Sequence, residues 1–507
     1  MISVSRNILA NLFSKGWSAV MGLAFVPFYI LLLGMEAYGL IGLFATLQVI
    51  FSLLDLGITT TLNRELARYS ALSEKAQEMR NLLRTFEIIY WGLAILIGLI
   101  IYGIAPFIAH DWVNTSSLAP AIVTQSIRLM GLVLAFQFPL GFYAGGLLGL
   151  QHQVLNSLLQ ATDATLRFGG VVLVLWLIQP TLQVFFGWQA LVSMVSTLLT
   201  VTILWRIMPH APRRARFDVA RLQAVWRFAA GMLGISSTAI LLTQMDKIVL
   251  SKVLPLEQFG YYSLAGVLAN GVALLTTPVF NALFPRFSQL VVIGDQAQLR
   301  ETYHRSCQIM AVIIIPVTVI LACFAPEILF LWTRNPTTVA QTHLLVTLLV
   351  TGTALNGLMN LPYALQLAHG WTSLVFWINI VSILIFMPLI FVLTSFYGAV
   401  GAAIVWCGLN GMYVLVQIQI MHQRLLPGEQ WRWYRQDVVQ PLVVALVVAG
   451  LGRWWLPTTS SMLVNALLLL VIATATFFAT ALSVTVLRQW MWAQLKPRLA
   501  GLRHGTH

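Results

Sequence analysis

The sequence predicts an all-α polytopic membrane protein with about fourteen transmembrane helices, arranged as two six-helix lobes plus two C-terminal helices. Three observations predict this class. Of the 507 residues, 59% are hydrophobic and 9% are charged, whereas soluble proteins carry about 25% charged residues. The apolar residues form runs that are long enough to cross a bilayer as helices. The Lys and Arg residues gather in short segments between alternate runs, which is the positive-inside pattern.

Fourteen apolar runs meet the length of roughly 20 residues that a spanning helix needs. They cover residues 8–33, 38–60, 84–108, 121–149, 157–178, 185–207, 228–253, 259–284, 306–331, 342–368, 372–394, 398–421, 437–456 and 461–487. An even number of spans places both termini on one side of the membrane. We interpret the largest segments on that side, Asn63–Leu83 and Met208–Trp226, as loops.

The distribution of basic residues selects the side. One set of segments holds 22 of the 29 Lys and Arg residues, and the opposite set holds only Lys252, Arg334 and Arg453. This bias predicts that both termini lie in the cytoplasm. Because topology accounts for the net charge of +13, nucleic acid is not expected as a partner.

An internal repeat predicts the two lobes. Leu33–Gly39 opens the second span and Leu254–Gly260 opens the eighth, with Leu, Glu and Gly recurring at an offset of 221 residues. A second echo places an aromatic residue before Gly187 and before Gly398, where spans 6 and 12 begin. The alternative is that interfacial aromatics and small packing residues recur independently. Repeated halves are common in secondary transporters.

The repeat and the charge pattern together give the domain boundaries. We predict an N-lobe at 1–207 (spans 1–6), a cytoplasmic linker at 208–227, a C-lobe at 228–421 (spans 7–12), spans 13–14 at 437–487 and a basic cytoplasmic tail at 488–507.

Four basic residues lie inside apolar runs: Lys15, Arg128, Arg167 and Lys247. A charge at the bilayer centre costs about 2.5–3.5 kcal/mol on insertion scales, so such residues are expected to face a cavity, a paired partner or a substrate. Arg offers phosphate a planar fork and Lys offers it a point charge. The pattern therefore predicts a water-lined cavity that binds an anion such as a pyrophosphate.

Three embedded carboxylates, Asp55, Asp163 and Asp246, are candidates for ion coupling or for pairing with these bases. The i,i+4 spacing of Asp163 and Arg167 places them on one helical face. The sequence leaves alternatives open: snorkelling of Lys247 to the interface, a static Asp163–Arg167 salt bridge, and a loop-capping role for Asp55.

Other features narrow the class of function. Proline removes a helical hydrogen bond, so Pro27 and Pro278 within spans are predicted gating bends. The three cysteines lack paired spacing and the histidines form no metal-ligand pattern. Neither a cofactor nor a metal is predicted, and the absence of a nucleotide-binding glycine loop argues against ATP as the energy source. The predicted outer loops are too short for an enzyme's catalytic domain.

Three stretches carry a resemblance to a known family. FVPFYILLLGMEAYGL at Phe25–Leu40 and LLDLGITTTLNR at Leu53–Arg64 resemble the opening of polysaccharide flippases, and QMDKIVLSKVL at Gln244–Leu254 resembles the start of their second half. This is the Wzx-like oligosaccharide (O-antigen) flippase branch of the MATE-like multidrug/oligosaccharidyl-lipid/polysaccharide exporter superfamily. By span count the resemblance covers essentially the whole chain.

The resemblance implies a function in polysaccharide and lipopolysaccharide biosynthesis. Members move undecaprenyl-pyrophosphate-linked oligosaccharide from the inner to the outer leaflet of the bacterial inner membrane by alternating access around a cationic cavity. Partners would be lipid-linked oligosaccharide, membrane lipid, a polysaccharide polymerase and glycosyltransferases. The motif-borne candidates are Lys15, Asp55, Arg64, Asp246 and Lys247. Arg128, Asp163 and Arg167 rest on the embedded-charge argument alone.

Two relatives within the superfamily and one enzyme class are the alternatives. A lipid II flippase also has fourteen spans but is expected to concentrate more arginine in its first two spans, where the first span here has only Lys15. A cation-coupled drug exporter usually has twelve spans and an acidic lumen. An oligosaccharide polymerase or ligase would need a sizeable outer loop.

Overall fold

The computed structural model describes residues 4–70, 72–219, 237–238, 240–455, 461–485 and 488. Within these ranges the chain is helical and contains no β-strand. The predicted all-α polytopic class is therefore confirmed. The molecule divides into two compact units, Met1–Gly260 and Tyr261–His507.

Thirteen helices among the described residues are long and apolar enough to cross a membrane. They correspond to all the predicted spans except the seventh. The described part of that span, 237–238 and 240–253, is helical, and the rest of it lies outside the described residues. Residues 220–227 of the predicted linker and nearly all of the predicted basic tail also lie outside the described residues. The proposed lobe boundaries stay a prediction.

The first unit is a succession of helices. They are α1 Val4–Ala24, α2 Val26–Leu33, α3 Met35–Ser52, α4 Ile58–Ser70, α5 Ala76–Phe107, α6 Pro120–Gly149, α7 Gln153–Ala164, α8 Val171–Leu177, α9 Leu182–Ile207 and α10, whose described part is 240–253. A π-helical segment, Thr165–Gly170, joins α7 to α8, and a second, Ile108–Trp112, extends α5. α6 packs against α4, α5 and α9 and so forms the centre of this unit.

The interpretation of Asn63–Leu83 as a loop was wrong. α4 continues to Ser70 and α5 begins at Ala76, so most of this segment is helical. Leu62 and Leu66 are fully buried on α4, while Arg64 and Arg68 on its other side are exposed. The segment is thus an amphipathic helix, whose polar residues resemble a loop when only mean hydropathy is considered.

The second unit begins within α11. Its helices are α11 Leu256–Leu274, α12 Thr276–Ile293, α13 Gln296–Cys323, α14 Ala325–Thr333, α15 Pro336–Leu358, α16 Asn360–Ala368, α17 Ser373–Tyr397, α18 Ala399–Met412, α19 Ile418–Leu425, α20 Gln430–Arg432, α21 Gln440–Trp455 and α22 Met462–Ser483. The π-helical segments Tyr413–Gln417 and Trp433–Val439 join α18 to α19 and α20 to α21. α13 contacts α12, α15, α21 and α22, which makes it the central helix of this unit.

Candidate functional site

Two cavities lie on either side of α6 in the described part of the first unit. The α7 cavity, of about 500 Å³, lies between α6, α7 and α9, and the α3 cavity, of about 740 Å³, lies between α3, α4 and α6. Polar residues of the α7 cavity include Asn156, Gln160, Asp163, Arg167 and Ser196, and those of the α3 cavity include Gln48, Asp55 and Thr59. Gln137 and Gly141 line both. The interior of an otherwise apolar unit thus presents amides, hydroxyls and carboxylates.

Arg167 and Asp163 form a paired group in the wall of the α7 cavity. The guanidinium Nε and Nη2 donate to the two Asp163 carboxylate oxygens at 3.1 and 3.2 Å. Two α9 side chains, Gln189 and Ser193, accept from the other donors at 3.3 Å each. Ser196 also donates to Asp163 at 2.7 Å. Since Arg167 is only 7% exposed, this geometry matches the static salt bridge, and a substrate role for the pair stays a prediction.

Asp55 lies at the edge of the α3 cavity, where α3 ends in a 3₁₀ turn. Leu56 and Gly57 follow in the left-handed conformation (φ 51° and 74°), which turns the chain into α4. The Asp55 carboxylate accepts hydrogen bonds from the hydroxyls of Thr59 and Tyr90. Asp55 therefore orders the α3–α4 connection as the capping alternative expects, and it also lines the cavity.

A bridge of two amides crosses the α3 cavity. Gln48 on α3 donates to Gln137 on α6 at 2.6 Å. Side-chain amides offer both donors and acceptors, the pattern that sugar hydroxyls require. The α3 cavity therefore combines a carboxylate, two amides and hydroxyls without a basic residue in its lining.

The other basic candidates do not line either cavity. Lys15 is exposed on α1 and makes no ion pair with any described residue. The Arg128 guanidinium lies 4.5 Å from the centre of the Tyr102 ring on α5. Lys247 donates to Gln244 one turn earlier on α10, at 3.1 Å, and the neighbouring Asp246 is buried.

Arg64 projects from α4 with its side chain 69% exposed and pairs with Glu65 at 3.0 Å. This is a surface position, outside the lining of both cavities. Its role in substrate binding stays a prediction.

The two predicted gating prolines each follow a break in a helix. Pro27 is in the first turn of α2, after the interruption at Phe25 between α1 and α2. Pro278 is in the first turn of α12, after the interruption at Leu275. Proline is tolerated at a helix start because the missing N–H has no intrahelical partner there. The helices are therefore interrupted just before both prolines. Motion about these two breaks stays a prediction.

The two copies of the sequence repeat meet in the structure. A methyl group at Gly39 would lie 2.1 Å from the carbonyl oxygen of Leu256, and one at Gly260 would lie 2.5 Å from that of Met35. Gly39 corresponds to Gly260 and Met35 to Leu256 under the 221-residue offset. The contacts are therefore reciprocal, and each glycine admits the backbone of the opposite copy. We call this the repeat crossing.

Two polar groups escaped sequence analysis. Glu87 on α5 accepts from Tyr143 at 2.7 Å and from Trp205 at 3.0 Å, and it pairs with Arg84. In the second unit, His304 lies between two carboxylates. The i,i+3 spacing of Arg84 and Glu87 offered a local signal, whereas the partners of His304 are more than 120 residues away in sequence. No cluster of metal-ligating side chains occurs among the residues that the structure describes.

The chain is similar to known proteins of polysaccharide biosynthesis and transport. Residues 31–334 match the polysaccharide biosynthesis protein family. A protein of Shigella flexneri named as an O-antigen transporter is 19% identical over 80% of this chain and 94% of its own length. The succinoglycan biosynthesis transport protein ExoT of Rhizobium meliloti (strain 1021) is 24% identical over 57% of each chain.

Two solved structures share the fold. The lipid II flippase MurJ in an inward closed conformation superposes with a TM-score of 0.70 at 13% identity, covering 96% of this chain and 99% of that one. An inward-facing MATE family multidrug resistance transporter of the MOP superfamily gives a TM-score of 0.63 at 14% identity, covering 80% and 94%. At these identities the likeness is one of fold.

Proposed function

The chain belongs to the polysaccharide biosynthesis protein family, and on that premise we propose that it flips undecaprenyl-pyrophosphate-linked oligosaccharide from the inner to the outer leaflet of a bacterial inner membrane by alternating access. It is a polysaccharide flippase-like transporter of the MOP superfamily. The specific lipid-linked glycan, the direction and the alternating-access mechanism are the proposal.

The observation that carries this proposal is the polar lining on both sides of α6. In the α3 cavity the amide, hydroxyl and carboxylate groups hydrogen-bond one another, and a sugar that enters would exchange these hydrogen bonds for its own. The Gln48–Gln137 bridge, Asp55 and Thr59 suit sugar hydroxyls, which both donate and accept. We assign the glycan to the α3 cavity on this basis.

The pyrophosphate needs cations whose donors are available. Arg167 already donates to Asp163, Gln189 and Ser193. Lys15 makes no ion pair with any described residue, and the guanidinium of Arg128 is stacked on Tyr102 without a carboxylate partner among them. Lys15 and Arg128 are therefore the stronger headgroup candidates, with Lys247 and Arg64 next.

The remaining parts of the proposal follow from the same assignment. Both termini would face the cytoplasm, where glycosyltransferases assemble the lipid-linked glycan, and a polymerase would receive it on the other side. The protein would act on this lipid within the membrane without chemical conversion of it.

Replacing Lys15 or Arg128 tests the proposal. Lys15→Ala and Arg128→Ala are each expected to reduce flipping about tenfold or more, because each removes a charge-assisted contact worth about 1.5–3 kcal/mol. Lys15→Arg and Arg128→Lys keep the charge and should retain most of the activity. The measurement is translocation of an undecaprenyl-pyrophosphate oligosaccharide across reconstituted vesicles, with lipid II as the competing substrate.

Arg68→Ala is the matched control for loss of one exposed positive charge, because the Arg68 side chain is 73% exposed on α4 and Arg68 is not a headgroup candidate. Normal flipping by both the Lys15→Ala and the Arg128→Ala proteins would contradict a cationic translocation path. Faster flipping of lipid II than of the oligosaccharide lipid would favour the lipid II alternative.

A further inference from the structure

A buried imidazole lies between two carboxylates in the second unit. His304 on α13 contacts Asp437 through Nδ1 at 2.5 Å and Glu429 through Nε2 at 3.1 Å. His304 is 1% exposed and Asp437 is completely buried. Both ring nitrogens thus face acceptors, and the contact is shielded from water on the Asp437 side.

The cluster joins α13 to the C-terminal helices. Asp437 lies in the π-helical segment that leads into α21, and Glu429 immediately precedes α20. Gln308, one turn after His304, donates to the second Asp437 oxygen at 3.0 Å and accepts from Thr485, just beyond α22, at 3.1 Å. α21 and α22 also pack on α13, and Val312 of α13 forms an apolar cluster with Ala481 of α22 and with Val484. The hydrogen bonds of His304 and Gln308 therefore connect α13 to the segments around α20 and α22.

The arrangement depends on one proton. A neutral imidazole has one N–H donor and one acceptor nitrogen, whereas an imidazolium donates from both nitrogens. With both carboxylates ionised, only the imidazolium satisfies Asp437 and Glu429 together. When that proton leaves, one ring lone pair faces a carboxylate oxygen, and that carboxylate loses its donor.

Other charged and titratable groups surround the cluster. Arg300 and Arg432 lie 3.9 and 3.6 Å from Glu429, so that carboxylate keeps cationic neighbours when the ring is neutral. Tyr303 and Cys307 on α13 are buried beside Asp437, and His422 on α19 interacts with His304. Asp437 accepts hydrogen bonds only from His304 and from the neutral Gln308 among the described residues. The effect of losing the proton therefore falls mainly on Asp437.

We propose that His304, Asp437 and Glu429 form a proton-binding site whose occupancy fastens the α20–α22 segment to α13. The segment is held when the imidazole is protonated, and its attachment weakens when the imidazole loses its proton at higher pH. The proposal concerns the C-terminal helices alone and does not depend on the proposed substrate.

Cys307 on α13 is a chemical probe of this contact. It is buried one turn from His304 and contacts Trp433. Cys323→Ala and Cys407→Ala remove the chain's other two cysteines. In this background, the rate of maleimide labelling of Cys307 is compared between the parent protein and His304→Gln at several pH values. The ratio of the two rates removes the part of the pH dependence that both proteins share.

The variant should label about tenfold faster at acidic pH, the size expected for losing a charge-assisted hydrogen bond. The ratio should fall towards one as the parent's imidazole loses its proton. A ratio that is constant with pH would overturn the proposal.

Asp437→Asn provides a second test that keeps the histidine. The labelling rate of Cys307 in Asp437→Asn, relative to that in His304→Gln, should be almost independent of pH. A ratio with the parent's full pH dependence would also overturn the proposal.

Discussion

Arg167→Met is expected to lower the free energy of unfolding of the first unit by about 3–5 kcal/mol, because it leaves the Asp163 carboxylate without its guanidinium. The cost arises from an uncompensated carboxylate in the cavity wall, where the Asp163 side chain is 19% exposed. Gln189 and Ser193 would also lose the donors that they accept from. The measurement is thermal unfolding in detergent, read as the fraction of monodisperse protein.

The double replacement Arg167→Met with Asp163→Leu is expected to recover most of this loss, since replacing a whole buried ion pair with apolar groups is often neutral. Arg64→Met is the matched control, because the exposed Arg64–Glu65 pair contributes about 0–1 kcal/mol. An Arg167→Met protein with unchanged stability but no flipping would contradict the structural role and return Arg167 to the substrate path.

The Asp163–Arg167 pair shows how far local sequence patterns reach. Their i,i+4 spacing predicted the pairing, because the period of a helix is fixed. The partners on α9, Gln189 and Ser193, could not be predicted, since their contact with Arg167 depends on how α9 packs beside the π-helical segment. A pairing within one helix is thus predictable, whereas the network that completes it depends on tertiary packing.

The spans were predictable for a similar reason. Hydropathy acts over a window of about 20 residues, so it identifies helices such as α6 and α13 whatever surrounds them. It failed at Asn63–Leu83, where burial of Leu62 and Leu66 alternates with exposure of Arg64 and Arg68. A search for the helical period in that segment would have identified α4.

Long-range polar contacts had no sequence signal. His304 and Asp437 are 133 residues apart, and the histidine lies near the end of an apolar run like many interfacial histidines. Arg128 likewise was identified as an embedded charge, but its stacking on Tyr102 depends on the register between α5 and α6. The sequence therefore identifies residues that are unusual in an apolar run, but it does not predict which side chains they contact.

An aromatic residue precedes each of four glycines, Gly39, Gly187, Gly260 and Gly398, and we call this the aromatic-glycine motif. The two pairs differ in what the glycine does in the structure. Gly39 and Gly260 each face a backbone carbonyl of the opposite copy at the repeat crossing. Gly187 instead faces open space, and Gly398 is needed for a positive φ of 57° after α17. The same motif therefore has different causes. Gly39 and Gly260 allow a close backbone contact, whereas Gly398 allows a turn.

Gly39→Ala is therefore expected to disrupt the repeat crossing, and Gly260→Ala should reproduce its effect. The added methyl group would lie 2.1 or 2.5 Å from a backbone oxygen, and a backbone cannot move aside as a flexible side chain can. Overpacking of this kind costs about 1–3 kcal/mol or more. Because the contacts are reciprocal, either replacement should loosen both copies of the repeat.

Hydrogen–deuterium exchange of peptides covering 33–40 and 254–261 measures this loosening. The Leu256 amide donates to Asn114 at 2.8 Å, so its exchange reports directly on whether the start of α11 remains in place. We expect exchange in both peptides to rise about tenfold or more, since 1.4 kcal/mol corresponds to a factor of about ten. On the proposed function, flipping should fall with it.

Gly187→Ala tests whether the crossing itself is responsible. It changes the same motif at a position with open space around it, so it should leave exchange at 33–40 and 254–261 unchanged and should slightly favour its helix. If Gly39→Ala protects both peptides as well as the parent does, the crossing is not a specific close contact. If only one peptide loosens, the contacts are not reciprocal, and the repeat then reflects independent helix starts.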